Sequence, residues 1–242
     1  MKEKLNLKSI IVGLLLFILG ISLILLDIFK FKTEKGLWIS VGCSLIASSL
    51  VILLTALCVE RIKDNPLKEW GIAQIYPSRA VMNTDCEVSV NNAKYKIDAI
   101  GFGFRSYRDQ KSKDTEKLLK RGVNFRIITM DPDTAFVHQR EKEEGEVDGQ
   151  ISNSIRQLVT WADNLNKKKY AGKIVIKGYS CMTLHFYWRV DDEMYTGPYW
   201  YGKGSQQTIS YKYGAGKAFN AYSDYFESLW NNQGLMKILT KT

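Results

Sequence analysis

Cysteine and histidine are scarce: four of one and two of the other in 242 residues. No CxxC pair and no Cys/His ligand spacing occurs, which excludes a zinc ribbon and a disulfide framework and suits a reducing cytoplasm. The phosphate loop G-x-x-x-x-G-K-[ST] and the nucleophile elbow G-x-S-x-G are both missing, and GFGF at 101–104 has the wrong spacing for a dinucleotide fingerprint. No internal repeat and no low-complexity segment is present. These gaps leave no expected cofactor and no expected metal.

Charge is missing from two places in particular. Ser9–Leu26 and Gly36–Val59 carry no Asp, Glu, Lys, Arg or His. Each is about the length of a bilayer-crossing helix, roughly 17–25 residues, and a helix satisfies its own backbone in lipid. The first run is longer than a signal-peptide core and is followed by Phe29-Lys30-Phe31-Lys32 rather than a small-residue cleavage site, so it reads as retained. The ends of the hairpin carry Lys2, Lys4, Lys8, Arg61, Lys63 and Lys68, against Lys30, Lys32 and Lys35 in the turn. That bias places the N-terminus and the soluble part in the cytoplasm, on a multi-pass protein of the inner or cell membrane. Ser44 and Ser48, beside Gly42 and Ala47, form a small-xxx-small pair suited to packing on the first helix or on a second protomer.

The expected organisation is a two-helix transmembrane hairpin over 1–59, a polar proline-closed linker over 60–66, and one cytosolic domain over 67–242. The chain's net charge is +9, of which residues 67–242 and the linker hold two thirds. A basic domain beside a membrane is drawn to anionic headgroups or a phosphate-bearing ligand, although an ordinary solvated surface has the same balance. Within the domain, Lys96–Phe104, Val123–Met130, Lys173–Lys177, Thr183–Val190 and Glu193–Trp200 read as strands. Helices are expected at Asp114–Arg121, Thr134–Glu144, Ile151–Lys168 and Ala215–Trp230, with Arg105–Lys113 a polar loop. Strands alternating with helices predict an α/β fold with a mixed sheet flanked by helices.

The segment TLHFYWRVDD at 183–192 concentrates reactive side chains. As a strand it sends Leu184, Phe186, Trp188 and Val190 into a core and His185, Tyr187 and Arg189 to the opposite face. An imidazole sharing its face with a guanidinium, just before paired carboxylates, has the components to handle phosphate, though a half-exposed sheet histidine is the plainer reading. Arg105 and Arg108 follow a strand end, where α/β folds bind ligands. His138 with Glu141 reads as a solvated helix face. Seven aromatics between Trp188 and Tyr213 read as core and hairpin pairs, or as a platform on which a base stacks.

His185, position 187 and Asp192 occupy the places of H-x-K-x4-D, the signature of the phospholipase D superfamily. WGIAQIYPSR at 70–79, DAIGFGFRSY at 98–107, KRGVNFRIITMDP at 120–132 and YSDYFESLW at 222–230 also resemble diverged members. The resemblance implies a phospholipase D-like domain in which one histidine attacks phosphorus and its partner protonates the leaving group. Single-motif members build that site across a homodimer, so a homo-oligomer is implied. His185, Tyr187 and Asp192 are then the catalytic positions and Arg189, Arg105 and Arg108 the ligand-binding ones. Tyr187 departs from the motif: a neutral phenol stands where the lysine cation belongs, which implies a degenerate site. The expectation is a module that binds a nucleotide or lipid headgroup and signals to the membrane helices. That layout resembles the membrane effectors of bacterial nucleotide-signalled defence. The alternatives are an active dimeric phosphodiesterase on lipid or nucleic acid, and a membrane-anchored scaffold.

Overall fold

The computed structural model describes residues 7–31, 36–63, 66–182 and 185–241, which divide at Leu67 into two compact units. The first is a helical hairpin. Helix α1 (Leu7–Leu26) runs into a π-helical turn (Asp27–Phe31), and α2 (Leu37–Lys63) returns along it. Ser9–Phe29 and Leu37–Ala56 are long and apolar enough to cross a membrane by length and composition. Gly13, Gly20 and Asp27 recur every seventh residue and are buried, as are Gly42 and Ser49 opposite. A Cβ on Gly20 would stand 2.8 Å from the Gly42 carbonyl oxygen, so the backbones approach where neither has a side chain. Ser44 and Ser48 are exposed. The seam between the helices therefore runs through Gly42 and Ser49 rather than through the Ser44 and Ser48 pair the sequence suggested.

The second unit opens with one helical turn, α3 (Pro66–Glu69), and continues through β1 (Ile72–Tyr76), α4 (Arg79–Asn91), β2 (Lys96–Ile100), α5 (Arg105–Lys120) and β3 (Asn124–Met130). There follow α6 (Ala135–Glu144), α7 (Gln150–Asn166), β4 (Ile174–Tyr179), β5 (His185–Val190), β6 (Glu193–Pro198), β7 (Ser210–Tyr213), α8 (Lys217–Trp230) and β8 (Met236–Ile238). The strands form one mixed sheet in the order β1-β7-β6-β5-β2-β3-β4-β8. β2, β3 and β4 are parallel and the remaining pairs antiparallel. Both faces are covered. Phe125, Ile127, Ile176, Phe186 and Trp188 pack beneath α4, α5 and α7 through Met82, Leu118, Leu119 and Leu158. On the other face Tyr187, Met194 and Ile128 share a core with Phe226 of α8.

Residues 105–113, expected as a loop, are the first half of α5. Their polarity belongs to a surface helix that buries only Thr115, Leu118 and Leu119 near its C-terminal end, with Tyr107 packed partly against the core. The structure adds α4, β1, β7 and β8 to the expected elements. Helix α4 begins at Ser78, whose hydroxyl accepts the Val81 N–H. Its Val81, Val88 and Val90 favour strands as much as helices, which masks it in the sequence.

Candidate functional site

Pairing fixes where β5 puts its side chains. Asp98 lies opposite Arg189 and Ile100 opposite Tyr187, so His185 projects past the C-terminal end of β2. Phe186, Trp188 and Val190 enter the core under α4, α5 and α7 as the alternation predicts. Thr183 and Leu184, the first residues of the expected strand, lie outside the described residues.

The opposite face is closed rather than open. Tyr187 is 1% exposed and stacks on Phe226, with ring centroids 5.3 Å apart and planes at 19°. Burial pushes its phenol up to about 12, so no charge forms at the motif's lysine position at neutral pH. His185 sits against the Tyr225 and Tyr222 rings at 5.3 and 5.7 Å, and its Nε2 has no hydrogen-bond partner among the described residues. Desolvation holds the imidazole below the ordinary histidine value, hence neutral at pH 7. Arg189 is at the other end of the strand. Its Nε donates to the Asp191 carbonyl (2.8 Å), its Nη1 to the Ser223 hydroxyl (3.2 Å), and its guanidinium lies 4.7 Å from the Phe219 ring centroid.

Asp192 is exposed in the β5–β6 turn, six residues of strand away from the imidazole. Its neighbour Asp191 has a defined structural role. Held at φ 48°, it accepts the backbone N–H groups of Lys94, Tyr95 and Lys96 at 2.7, 3.0 and 2.9 Å, pinning the entry to β2. Asp191→Ala is expected to cost about 2 kcal/mol in urea unfolding, the scale of hydrogen bonds to a charged acceptor. Asp192→Ala should stay within about 0.5 kcal/mol, as for a surface position.

Arg126 is likewise tied up. It grips Asp98 with Nε and Nη2 at 2.7 and 2.8 Å, reaches Glu227 at 3.0 and 2.6 Å, and lies 4.9 Å from the Phe226 ring centroid. Burial opposes its charge, but the two carboxylates outweigh it and hold the pKa above the ordinary arginine value. Glu141, expected on a solvated face, is 1% exposed; it accepts the N–H groups of Gly149, Ile151 and Ser152 at the start of α7. His138, beside it, is half exposed, as expected.

An open cleft lies on the other face of the sheet, about 430 Å³ in volume, where β2 ends and α5 begins. The link is Gly101-Phe102-Gly103-Phe104. A Cβ on Gly103 would come within 2.2 Å of the Ser154 hydroxyl, so only glycine lets this link reach α7. Phe104 adopts φ 47°, a left-handed conformation rare for a bulky residue. No side chain caps α5, and the N–H groups of Arg105, Ser106 and Tyr107 have no acceptor among the described residues. A helix start with free N–H groups carries partial positive charge and suits an anion.

Two guanidinium groups line the cleft. Arg105 is its first residue and exposed. Arg79, the first residue of α4, lies 4.1 Å from the Phe186 ring centroid, with Nη1 3.4 Å from the Tyr199 hydroxyl and Nε unpartnered. Neither has a carboxylate partner among the described residues. The carboxylates bordering the cleft are mostly engaged: Glu87 with Lys111, Asp114 with Lys117, and Glu144 with Arg140. Arg108 turns away, donating to the Ser154 carbonyl at 3.1 Å and to Asp109 at 2.9 Å. Of the residues singled out in the sequence, then, Arg105 lines this cleft, together with Trp188 and Tyr199 from the aromatic group. Arg108 braces α5 on α7, and His185, Tyr187, Arg189 and Asp192 do not line it. Arg79 was missed; its signal was Pro77-Ser78-Arg79, a capping serine after a strand.

No family model matches the chain, and no curated protein does. Among solved structures, it is similar to TrmBL2, an archaeal chromatin protein, at 12% identity and a TM-score of 0.43, covering 78% of this chain and 67% of that one. NucT from Helicobacter pylori gives 12% and 0.41, over 65% and 94% of the two chains. Phosphatidylserine synthase from Haemophilus influenzae Rd KW20 gives 12% and 0.48, over 68% of this chain, which spans 38% of the synthase.

Proposed function

We propose that the unit from Leu67 onward is a non-catalytic, phospholipase D-like receptor for a phosphate-bearing ligand, held on the cytoplasmic face of a membrane by the hairpin. The observation that carries this reading is the uncapped start of α5, opening on the cleft between two guanidinium groups that lack carboxylate partners. A phosphate placed there meets backbone donors and charge together, and charge-assisted bonds of this kind are about twice as strong as neutral ones. Occupancy of the cleft is what the hairpin would transmit.

Catalysis at His185 has little to support it. Phosphoryl transfer depends on stabilising charge on the moving phosphate. The imidazole's described neighbours are phenol rings, and the position of the missing lysine is sealed under Phe226.

The full chain in detergent micelles should be titrated with nucleotides, phosphoinositide headgroups and inorganic phosphate while thermal unfolding is followed. A ligand at 100 times its Kd should stabilise the fold by about 2.7 kcal/mol. His185→Ala should bind equally well, and neither the unaltered chain nor Tyr187→Lys should cleave bis-(p-nitrophenyl) phosphate. Failure of every phosphate-bearing compound to bind, or cleavage that His185→Ala abolishes, overturns the reading.

A further inference from the structure

The cleft holds more than cations. Its inner wall is aromatic: Phe104 and Tyr107 pack on Trp188 with ring centroids 5.6 and 4.9 Å away, and Phe102 lies 4.6 Å from Tyr199. Trp188 is 93% buried by its 7% exposure, and its indole Nε1–H is a donor with no acceptor among the described residues. Of the buried polar side-chain atoms without a partner among the described residues, Trp188 Nε1 and Arg79 Nε are the two whose residues line this cleft. The strained backbone of Phe104 lies at the same wall, holding that ring where α5 starts. Strain of this kind persists where the surroundings enforce it, and it gathers at binding sites.

Inorganic phosphate uses none of this wall. Neither does a polyol headgroup, which offers hydroxyls and no flat face. A planar heterocycle does: its faces suit aromatic rings, and its ring nitrogen or carbonyl accepts an indole N–H. About 430 Å³ falls within the usual range for a small-molecule site, roughly 300–1,000 Å³.

Resting on the receptor reading above, we infer that the ligand is a nucleotide, its phosphate between Arg79 and Arg105 and its base against Phe104 and Trp188 with a ring acceptor on Trp188 Nε1–H. Recognition is then divided. Arg79, Arg105 and the start of α5 read charge, while the aromatic wall reads the ring.

The test uses the full chain in micelles and isothermal titration with four probes: purine and pyrimidine nucleoside monophosphates, ribose 5-phosphate and inorganic phosphate. The nucleotides should bind at least about tenfold more tightly than ribose 5-phosphate, since base stacking alone contributes that much. Trp188→Phe keeps a ring but removes the donor; it should weaken the nucleotides about tenfold and leave ribose 5-phosphate unchanged. Ribose 5-phosphate binding as tightly as the nucleotides overturns this inference and leaves the receptor reading standing. Absence of binding by all four probes removes both. The comparison among probes on the unaltered chain decides the matter even if Trp188→Phe fails to fold.

Discussion

The double substitution Arg79→Ala/Arg105→Ala should weaken binding of a phosphate-bearing ligand by about a hundredfold or more. Each guanidinium offers hydrogen bonds to a charged acceptor, about 1.5–3 kcal/mol apiece, and 1.4 kcal/mol is a factor of ten. Arg105 is exposed, so solvent screening brings it to the low end of that range. Arg79 lies on Phe186 and is held against Tyr199, so it belongs nearer the upper end. Arg79→Lys should recover only part of the loss, because an ammonium keeps the charge but not the planar stack. Arg108→Ala is the control: its guanidinium bonds Ser154 and Asp109, and affinity should change less than about threefold. Titration calorimetry reads these three variants together with the single Arg79→Ala and Arg105→Ala chains, and equal losses at Arg79, Arg105 and Arg108 would mean a general charge effect rather than a site. Raising salt from low to high should weaken the unaltered chain more than the double variant.

The second large effect concerns stability. Arg126→Met should destabilise the second unit by about 3–5 kcal/mol, the usual result of leaving a buried carboxylate without its partner. Asp98 is fully buried and receives two of the guanidinium's N–H groups; Lys96 Nζ, at 3.8 Å, is too distant to replace them. Removing both charges in Asp98→Leu/Arg126→Met should recover most of that loss, since apolar replacements of buried pairs are often neutral. Chemical denaturation of the full chain measures both. Glu227, held below the ordinary carboxylate value chiefly by its hydrogen bond to Arg126, adds a pH signature. A depressed carboxyl contributes stability that is present above its unfolded value and lost as pH falls through the folded one. Arg126→Met should therefore flatten the acid limb of the stability profile.

Much of the framework was readable from residue spacing, because local physics sets it. The alternation Phe186–Trp188–Val190 gave the correct core face of β5, and Ile155, Leu158 and Ala162 gave the buried stripe of α7. Arg105, singled out because it follows a strand end, lines the cleft. The errors arose where tertiary contacts decide. The alternation could assign His185, Tyr187 and Arg189 to one face, but it could not tell that α8 covers that face. Phe226 and Phe219 closing over Tyr187 and Arg189 is a long-range event. Pro77-Ser78-Arg79 marks a helix start at Arg79, but its place in the cleft is set by Tyr199, 120 positions along the chain. The start of α5 resembled a loop because polar residues fill its exposed side, and its N–H groups stay free because no side chain caps it.

The direct test of the central claim is a crystal structure of the protein with a brominated nucleotide, whose bromine and phosphorus mark the two ends of the ligand. The account predicts phosphate density between the Arg79 and Arg105 guanidinium groups at the first turn of α5. Phosphate density against the His185 imidazole, with that cleft empty, would contradict it.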